Sequence, residues 1–190
     1  MAIRKIAQLG EPVLRQRARE VSREELASPR MQTLIDDMVE TMRDADGAGL
    51  AAPQVYESVA IVVIEVRNNP RYPQAETIPL MALVNPQVTP LVDADQPENA
   101  VFLYEGCLSV NGIRGRVRRP RRVRVRGWDR AGAELDFEWE GFRAVVVQHE
   151  TDHLNGTLFV DRADPRTLTF SREYDRYVPL DARFVDGVRP

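Results

Sequence analysis

The side chains best suited to hold a metal ion are two histidines four positions apart, in His149-Glu150-Thr151-Asp152-His153. Residues four apart share one face of a helix, so both imidazoles can reach the same cation. Glu150 is turned by about 100° from His149 and can instead lie beside a water held by that cation. A bound cation lowers the pKa of water from 15.7 toward about 7. The spacing therefore predicts metal-assisted hydrolysis, with Glu150 as general acid and base.

A catalytic metal site usually has three protein ligands, and the third candidate is Cys107, the one cysteine of the chain. It follows the apolar residues Val101-Phe102-Leu103 in the segment Glu105-Gly106-Cys107-Leu108-Ser109. Such a segment is typical of a strand end that presents a thiolate. The alternatives are an inert buried cysteine and a helix end with two satisfied histidines.

Three segments resemble, in order, the motifs of the peptide deformylase family. They are Gly47-Ala48-Gly49-Leu50-Ala51-Ala52-Pro53-Gln54, Glu105-Gly106-Cys107-Leu108-Ser109 and Gln148-His149-Glu150-Thr151-Asp152-His153. The resemblance implies a metal site of Cys107, His149 and His153. It also implies an enzyme that removes the N-formyl group from the initiator methionine of nascent polypeptides and releases formate. Glu150 would move the proton, and Gln54 and the backbone N–H of Leu108 would stabilise the oxyanion.

The ion that the resemblance implies is Fe²⁺, with Ni²⁺, Co²⁺ or Zn²⁺ able to take its place. Ligand chemistry alone favours zinc, since two imidazoles and a thiolate are a common zinc set. The expected partners are N-formyl-methionyl peptides. A transient contact with the ribosome is left open, and neither DNA nor a membrane is expected.

A methionine side chain needs an apolar pocket, and the helix face that carries His149 offers part of one. Residues three, four and seven positions before His149 share its face, although a plain core role is the alternative for each. The resemblance also places pocket residues here, together with Ala48 and Leu103. The backbone of Ala48, Gly49 and Gly106 could hold an extended peptide by adding it as a strand. Arg114, seven residues after Cys107, is expected to approach the peptide. The substrate-binding set is therefore Ala48, Gly49, Leu103, Gly106, Arg114, Phe142, Val145 and Val146.

These residues must be positioned by helices and strands. The predicted elements indicate an α+β fold, with antiparallel or mixed sheets around a C-terminal metal-binding helix. An N-terminal amphipathic helix starts at the N-cap Ser28 and ends near Asp46. The metal-binding helix covers 141–154 and stops at Asn155-Gly156. Strands are predicted at 59–66 and 80–84, and a hairpin at 121–128 and 134–140. Residues 161–190 are polar, and no structure or role is predicted for them.

Length and composition place limits on the class of protein. The chain has 190 residues, 43% of them hydrophobic, and a net charge of −3. We expect a single catalytic domain over 1–190. No run of 18 apolar residues and no secretory signal is visible, and one cysteine excludes an internal disulfide. A reducing, cytoplasmic location is expected.

Eight arginines lie between Arg114 and Arg126. They could bind RNA phosphates, but arginine alternating with valine favours the solvated face of a strand. Two rival functions stay open: an RNA-binding module built on this stretch, and a zinc peptidase of the His-Glu-x-x-His type. The peptidase would need a downstream carboxylate, Asp161 or Asp164, as its third ligand. No role is predicted for Arg143.

Overall fold

The computed structural model describes residues 2–67, 76–93 and 96–186, which form two antiparallel sheets with helices around them. The strands are β1 (Gly49–Ala51), β2 (Ile61–Val66), β3 (Ile78–Pro90), β4 (Ala100–Cys107), β5 (Val110–Pro120), β6 (Arg122–Trp128), β7 (Glu134–Glu140), β8 (Thr169–Phe170) and β9 (Phe184–Asp186). The helices are α1 (Arg23–Leu26), α2 (Pro29–Asp44), α3 (Gly141–Leu154), α4 (Phe159–Arg162), α5 (Ser171–Tyr177) and α6 (Leu180–Arg183). One sheet has the order β1-β2-β3-β6-β7 and the other β8-β5-β4-β9. The predicted α+β class is confirmed.

Helix α2 covers one face of the five-stranded sheet. Ser28 caps its N-terminus, accepting a hydrogen bond from the backbone N–H of Met31, and Pro29 occupies the first turn. The buried apolar stripe of the helix packs against Ile61 and Val63 of β2. Because side chains alternate along a strand, the neighbouring residues of β2 point to the other face.

Helix α3 covers that second face and also reaches the four-stranded sheet. Val62 and Ile64 of β2 share a buried cluster with Val145 of α3 and Leu103 of β4. Strand β2 is therefore buried on both sides, which explains its nearly continuous apolar sequence. The position of α3 between the sheets places His153 next to Cys107 at the end of β4.

Strand β3 is longer than the sequence predicts. It continues through Asn85 and Pro86, a pair of residues typical of a turn. The pairing of β3 with β6 shifts register here, between Val84 and Gln87. Asn85 has a φ of 49°, and its side-chain amide exchanges two hydrogen bonds with the backbone of Val21, at 2.8 and 2.9 Å. The predicted strand end at residue 84 is therefore wrong, because these two residues form a bulge within the strand and not a turn at its end.

The hairpin of β6 and β7 is confirmed, with Arg122 opposite Glu140 and Trp128 opposite Glu134. The polar C-terminal part, for which no structure is predicted, contains α5, α6 and two short strands in its described portion. Across residues 2–67, 76–93 and 96–186, none of the helices combines the length and the apolar character needed to span a bilayer.

Candidate metal centre

The structure brings together the three residues that the sequence nominates as ligands. Cys107 lies at the end of β4, and His149 and His153 project from one face of α3. The ligand atoms of all three lie within 4.8 Å of one another. Sγ of Cys107 is 3.3 Å from Nε2 of His153, and both side chains are buried. One thiolate and two imidazoles at this separation fit a divalent transition metal.

The electrostatics of these side chains also suit a cation. Burial opposes ionisation of Cys107, but the charge of His153 and hydrogen bonds from both histidines hold the pKa of the thiol well below its usual value. Burial likewise disfavours charge on His149, yet hydrogen bonds to Cys107 and Glu105 raise its pKa well above the usual range. Because a metal ligand must be deprotonated, a cation bound here would take the place of the proton that Cys107 and His149 share.

A buried carboxylate behind His149 sets the orientation of its ring. Oε2 of Glu105 lies 2.8 Å from Nδ1 of His149. Burial raises the pKa of Glu105, but the charge and hydrogen bonds of Arg119 outweigh it and leave the pKa at about 2. An ionised carboxylate only accepts, so Nδ1 carries the proton and Nε2 is left for a metal ion.

Arg119 connects Glu105 to a second acid on α3. Its Nε donates to Glu105 at 2.5 Å, and its Nη1 donates to Asp152 at 2.8 Å. Asp152 also accepts two hydrogen bonds from Arg162, each at 2.7 Å. The side chains of Glu105 and Arg119 are each only 3% exposed, so this is a buried network in which each charge has a partner.

The Arg-rich stretch is consequently divided. Arg122 and Arg124 form surface ion pairs with Glu138 and Asp136, which confirms the predicted solvated face for this part. For Arg119 that prediction is wrong, because this side chain is buried and paired with Glu105 and Asp152. Glu105 and Asp152 stood in the motifs without an assigned role. Two acids without a role beside the candidate ligands are the signal from which a buried basic partner could have been predicted.

Glu150 lies beside the ligands, against the backbone of β1. It is 5% exposed, and among the described residues its Oε2 has no hydrogen-bond partner. Burial raises its pKa to about 7. A Cβ built on Gly49 would lie 2.5 Å from Oε1 of Glu150, so only glycine leaves room for this carboxyl group.

Gln54 is held with its amide nitrogen toward Cys107. Its Oε1 accepts from the backbone N–H of Ala51 at 2.8 Å, which leaves Nε2 to donate to Oγ of Ser109 at 3.1 Å. Nε2 is also 3.5 Å from Sγ of Cys107. Leu108, the other residue predicted to stabilise an oxyanion, follows Cys107 directly and lines the same pocket. Ser109, which fixes the Gln54 amide, is a site residue that sequence reasoning missed.

A pocket opens beside the candidate ligands, and all but one of the predicted substrate-binding residues line it. Its walls are Gly47, Ala48, Gly49, Gln54, Leu103, Glu105, Gly106, Cys107, Leu108, Phe142, Val145, Val146, His149 and Glu150. Arg114 is not among them. It is 9% exposed and packs behind Gly106, where a Cβ would meet its guanidinium at 3.2 Å.

The carboxylates that a His-Glu-x-x-His peptidase would recruit are engaged elsewhere. Asp161 forms an ion pair with Arg15 and accepts from the backbone N–H of Leu158, and Asp164 pairs with Arg166. Among the residues that the structure describes, the metal-binding group identified consists of one cysteine and two histidines, without a carboxylate. Arg143 donates to the carbonyl of Thr77 at 3.2 Å and so ties α3 to the start of β3.

Comparison with known proteins gives a consistent result. A family model described as polypeptide deformylase matches residues 3–168. A peptide deformylase of Leptospira biflexa is 47% identical over 163 residues, covering 85% of this chain and 88% of that protein. Peptide deformylase 1 of Nitrosomonas europaea is 45% identical, covering 83% of this chain and 85% of the relative. The Met-Ala-Ser-bound crystal structure of a class I type b peptide deformylase from Acinetobacter baumannii superposes with a TM-score of 0.77 at 40% identity, over 85% of this chain and 98% of that one.

Proposed function

This chain belongs to the peptide deformylase family, and we propose that its substrate is the formyl-methionine end of nascent polypeptides, from which it releases formate. The observation that carries the proposal is the group of Cys107, His149 and His153 beside the buried carboxyl of Glu150. An apolar pocket opens on the same group, so one site can hold both a scissile amide and the side chain next to it.

Cys107, His149 and His153 would hold one divalent ion, which the donor set and the deprotonated thiol fit. When bound, that ion supplies Lewis acidity for water activation and carbonyl polarisation. We propose Fe²⁺ as the resident ion, with Zn²⁺, Ni²⁺ or Co²⁺ as competent alternatives. Glu105 and Arg119 keep the His149 ring in the orientation that this binding needs.

Glu150 would take a proton from the attacking water and return it to the departing amine. A carboxyl group with a pKa of about 7 can both accept and donate a proton near neutral pH, because it is neither too weak a base nor too weak an acid. Its free Oε2 is the atom for this transfer, since that oxygen has no hydrogen-bond partner in the described part of the chain. Gly49 keeps the carboxyl group close to β1.

Gln54 and Leu108 would stabilise the charge that develops on the formyl oxygen. Ala51 and Ser109 fix the Gln54 amide before substrate arrives, so little reorganisation is needed at the moment of reaction. The second donor is the backbone N–H of Leu108. Donors of this kind typically contribute 10²–10³ in kcat each, about 2.7 to 4 kcal/mol.

The pocket and the neighbouring sheet edge would bind the peptide itself. Phe142, Val145 and Val146 of α3 and Leu103 of β4 form an apolar wall for the methionine side chain. Strand β1 is the edge of its sheet, so its backbone at Gly49 can pair with an extended peptide, and Ala48 and Gly106 flank the path. Arg114, behind Gly106, would approach the residues that follow methionine.

We further propose that residues 1–190 act as one catalytic domain in the cytoplasm, where formylated chains are synthesised. A transient contact with the ribosome would bring the enzyme to that substrate. Co-sedimentation of the purified protein with ribosomes, measured at low and at physiological salt, tests this contact.

The experiment that tests the activity compares formyl-Met-Ala-Ser with unformylated Met-Ala-Ser. We expect formate from the first and no cleavage of the second, in a sample whose metal content is measured in parallel. Internal amide cleavage of the unformylated peptide without formate would instead establish a peptidase. If iron is the ion in use, an anaerobically prepared Fe²⁺ form loses activity in air while Ni²⁺ and Zn²⁺ forms keep theirs.

A further inference from the structure

The N-terminal arm, residues 7–9, connects the two segments that carry the proposed oxyanion donors. The backbone N–H of Ala7 donates to the carbonyl of Gln54 at 2.8 Å, and that of Leu9 donates to the carbonyl of Ser109 at 2.7 Å. Ala7 is fully buried and belongs to the same apolar cluster as the candidate thiol ligand. The arm is therefore a packed part of the fold beside the site.

Gln8 uses its side chain to hold the peptide unit that joins Leu108 to Ser109. Its Nε2 donates to the carbonyl oxygen of Leu108 at 3.1 Å and to that of Ile6 at 3.3 Å. At the other end of the same peptide unit, the N–H of Ser109 donates to Sγ of Cys107 at 3.3 Å. The peptide unit is therefore held at both ends, so its orientation is set before a substrate binds.

This peptide unit is the direct neighbour of the proposed donor, the backbone N–H of Leu108. The side chain of Leu108 packs against the buried apolar cluster of α2 and β2. Because that side chain is anchored, the freedom left to the residue is rotation of its peptide units, and the Gln8 amide restrains this rotation. An oxyanion donor is effective when it is aimed before the charge develops, since no reorganisation is then needed during the reaction.

We propose that Gln8 is a positioning residue for the oxyanion donor at Leu108. The inference rests on the proposed function, since it concerns the same reaction. Gln8 is not among the residues that line the pocket, so its effect belongs to the chemical step and not to peptide binding. Its side chain is exposed, so the amide can be replaced without opening a cavity in the core.

The test measures kcat and KM for formyl-Met-Ala-Ser. Gln8→Met keeps the reach of the side chain but removes the donor. We expect kcat to fall about three- to tenfold, the usual contribution of one neutral hydrogen bond, with KM unchanged. Gln8→Lys keeps a donor at similar reach and should keep kcat. Gln16→Met makes the same change at another exposed glutamine nearby in sequence and should behave like the unmodified protein. Metal content and thermal midpoint should agree in all four forms.

An unchanged kcat in Gln8→Met would overturn the inference, and so would a loss that appears in KM alone. A loss in Gln8→Lys as large as in Gln8→Met would show that the donated hydrogen bond is not the cause. An equal loss in Gln16→Met, or a fall in metal content that accounts for the lost activity, would also contradict it. These results differ from failure of the proposed function, in which the unmodified protein would release no formate.

Discussion

Nδ1 of His149 donates a hydrogen bond to Oε2 of Glu105 at 2.8 Å, and that carboxylate is in turn held by Arg119. The contact fixes which imidazole nitrogen can face a metal ion. Glu105→Gln removes the negative charge and leaves Arg119 with one charged partner fewer. We expect metal affinity to fall about 10- to 100-fold, the usual cost of losing such a support. Competition with a chromogenic chelator for Ni²⁺ measures the change.

Glu138→Gln is the matched control, because Glu138 also accepts from an arginine, Arg122, but at the surface. Its metal affinity should equal that of the unmodified protein. Equal affinity in Glu105→Gln would show that the carboxylate does not support the ligand.

Replacing Glu150 should separate proton transfer from metal binding. Glu150→Gln keeps the shape of the buried side chain but cannot accept a proton, so we expect kcat to fall by about 10²–10⁴. The metal content should be unchanged, because Glu150 is not one of the proposed ligands Cys107, His149 and His153. Formate release and elemental analysis of the same sample decide the matter. A variant that binds metal and turns over normally would remove Glu150 from the reaction.

Gly49→Ala tests the same carboxyl group by sterics alone. The added methyl carbon would lie 2.5 Å from Oε1 and 2.6 Å from the carboxyl carbon of Glu150, so the side chain must move. A displacement of this size can cost up to about 10²-fold in rate. We expect a large loss of kcat, with the thermal midpoint and metal content close to normal. Unchanged turnover would mean that the position of Glu150 is not critical.

Gln54→Ala should remove one oxyanion donor and reduce kcat by about 10²–10³. Metal content should stay constant, since Gln54 donates to Ser109 and is not a ligand in the proposed set. Gln32→Ala is a suitable control, because Gln32 does not line this pocket. Its amide donates to the backbone carbonyls of Leu26 and Arg130 and accepts from the Arg130 guanidinium. Equal rates for the two variants would reject the role of Gln54.

A pH-dependent contribution to stability comes from Asp37 on α2. It accepts from the backbone N–H of Ala2 at 2.7 Å and from Nε of Arg4 at 3.1 Å. The Ala2 hydrogen bond, against the opposing effect of burial, lowers the pKa of Asp37. The stabilisation is therefore complete above its ordinary pKa near 3.9 and is lost as the pH falls through the lowered value.

Asp37→Asn should lower the free energy of unfolding at pH 7, and the difference from the unmodified protein should shrink below about pH 4. Urea unfolding at pH 7 and pH 3 measures both. Asp36→Asn, at the neighbouring half-buried residue that pairs with Arg130, should change stability much less. A difference for Asp37→Asn that is equally large at both pH values would contradict this explanation.

Local patterns predicted the elements whose signals are local. The start of α2 follows from Ser28 and Pro29, and the β6–β7 hairpin follows from its alternation and its turn. The three nominated ligands could be found because two lie four apart on one helix and the third is the single cysteine. For the helix, the hairpin and the histidine pair, neighbours along the chain carry the information, whereas Cys107 was identified as the single cysteine.

The remaining features depend on residues distant in sequence. The pairing of Glu105 with Arg119 and Asp152 needs the β4–β5 hairpin and α3 to be assembled, and arginine in a basic stretch does not reveal which member is buried. The side chain of Asn85, at the bulge, forms hydrogen bonds with the backbone of Val21, which is distant in sequence. Tyr174 contacts the guanidinium groups of Arg114 and Arg183 only when β8 pairs with β5 and β9 pairs with β4. No period in the sequence encodes such contacts.

Cys107 comes from the four-stranded sheet, whereas His149 and His153 belong to a helix that packs against the five-stranded one. An ion bound by all three residues would therefore connect the two sheets. Its binding would raise the free energy of unfolding by RT ln(1 + [ion]/Kd). Removing the ion with a chelator should weaken the packing of β4 against α3 while leaving each sheet folded. Amide hydrogen exchange would then accelerate at the end of β4 before any secondary structure is lost. An ion in the candidate site would therefore also stabilise the packing of the two layers.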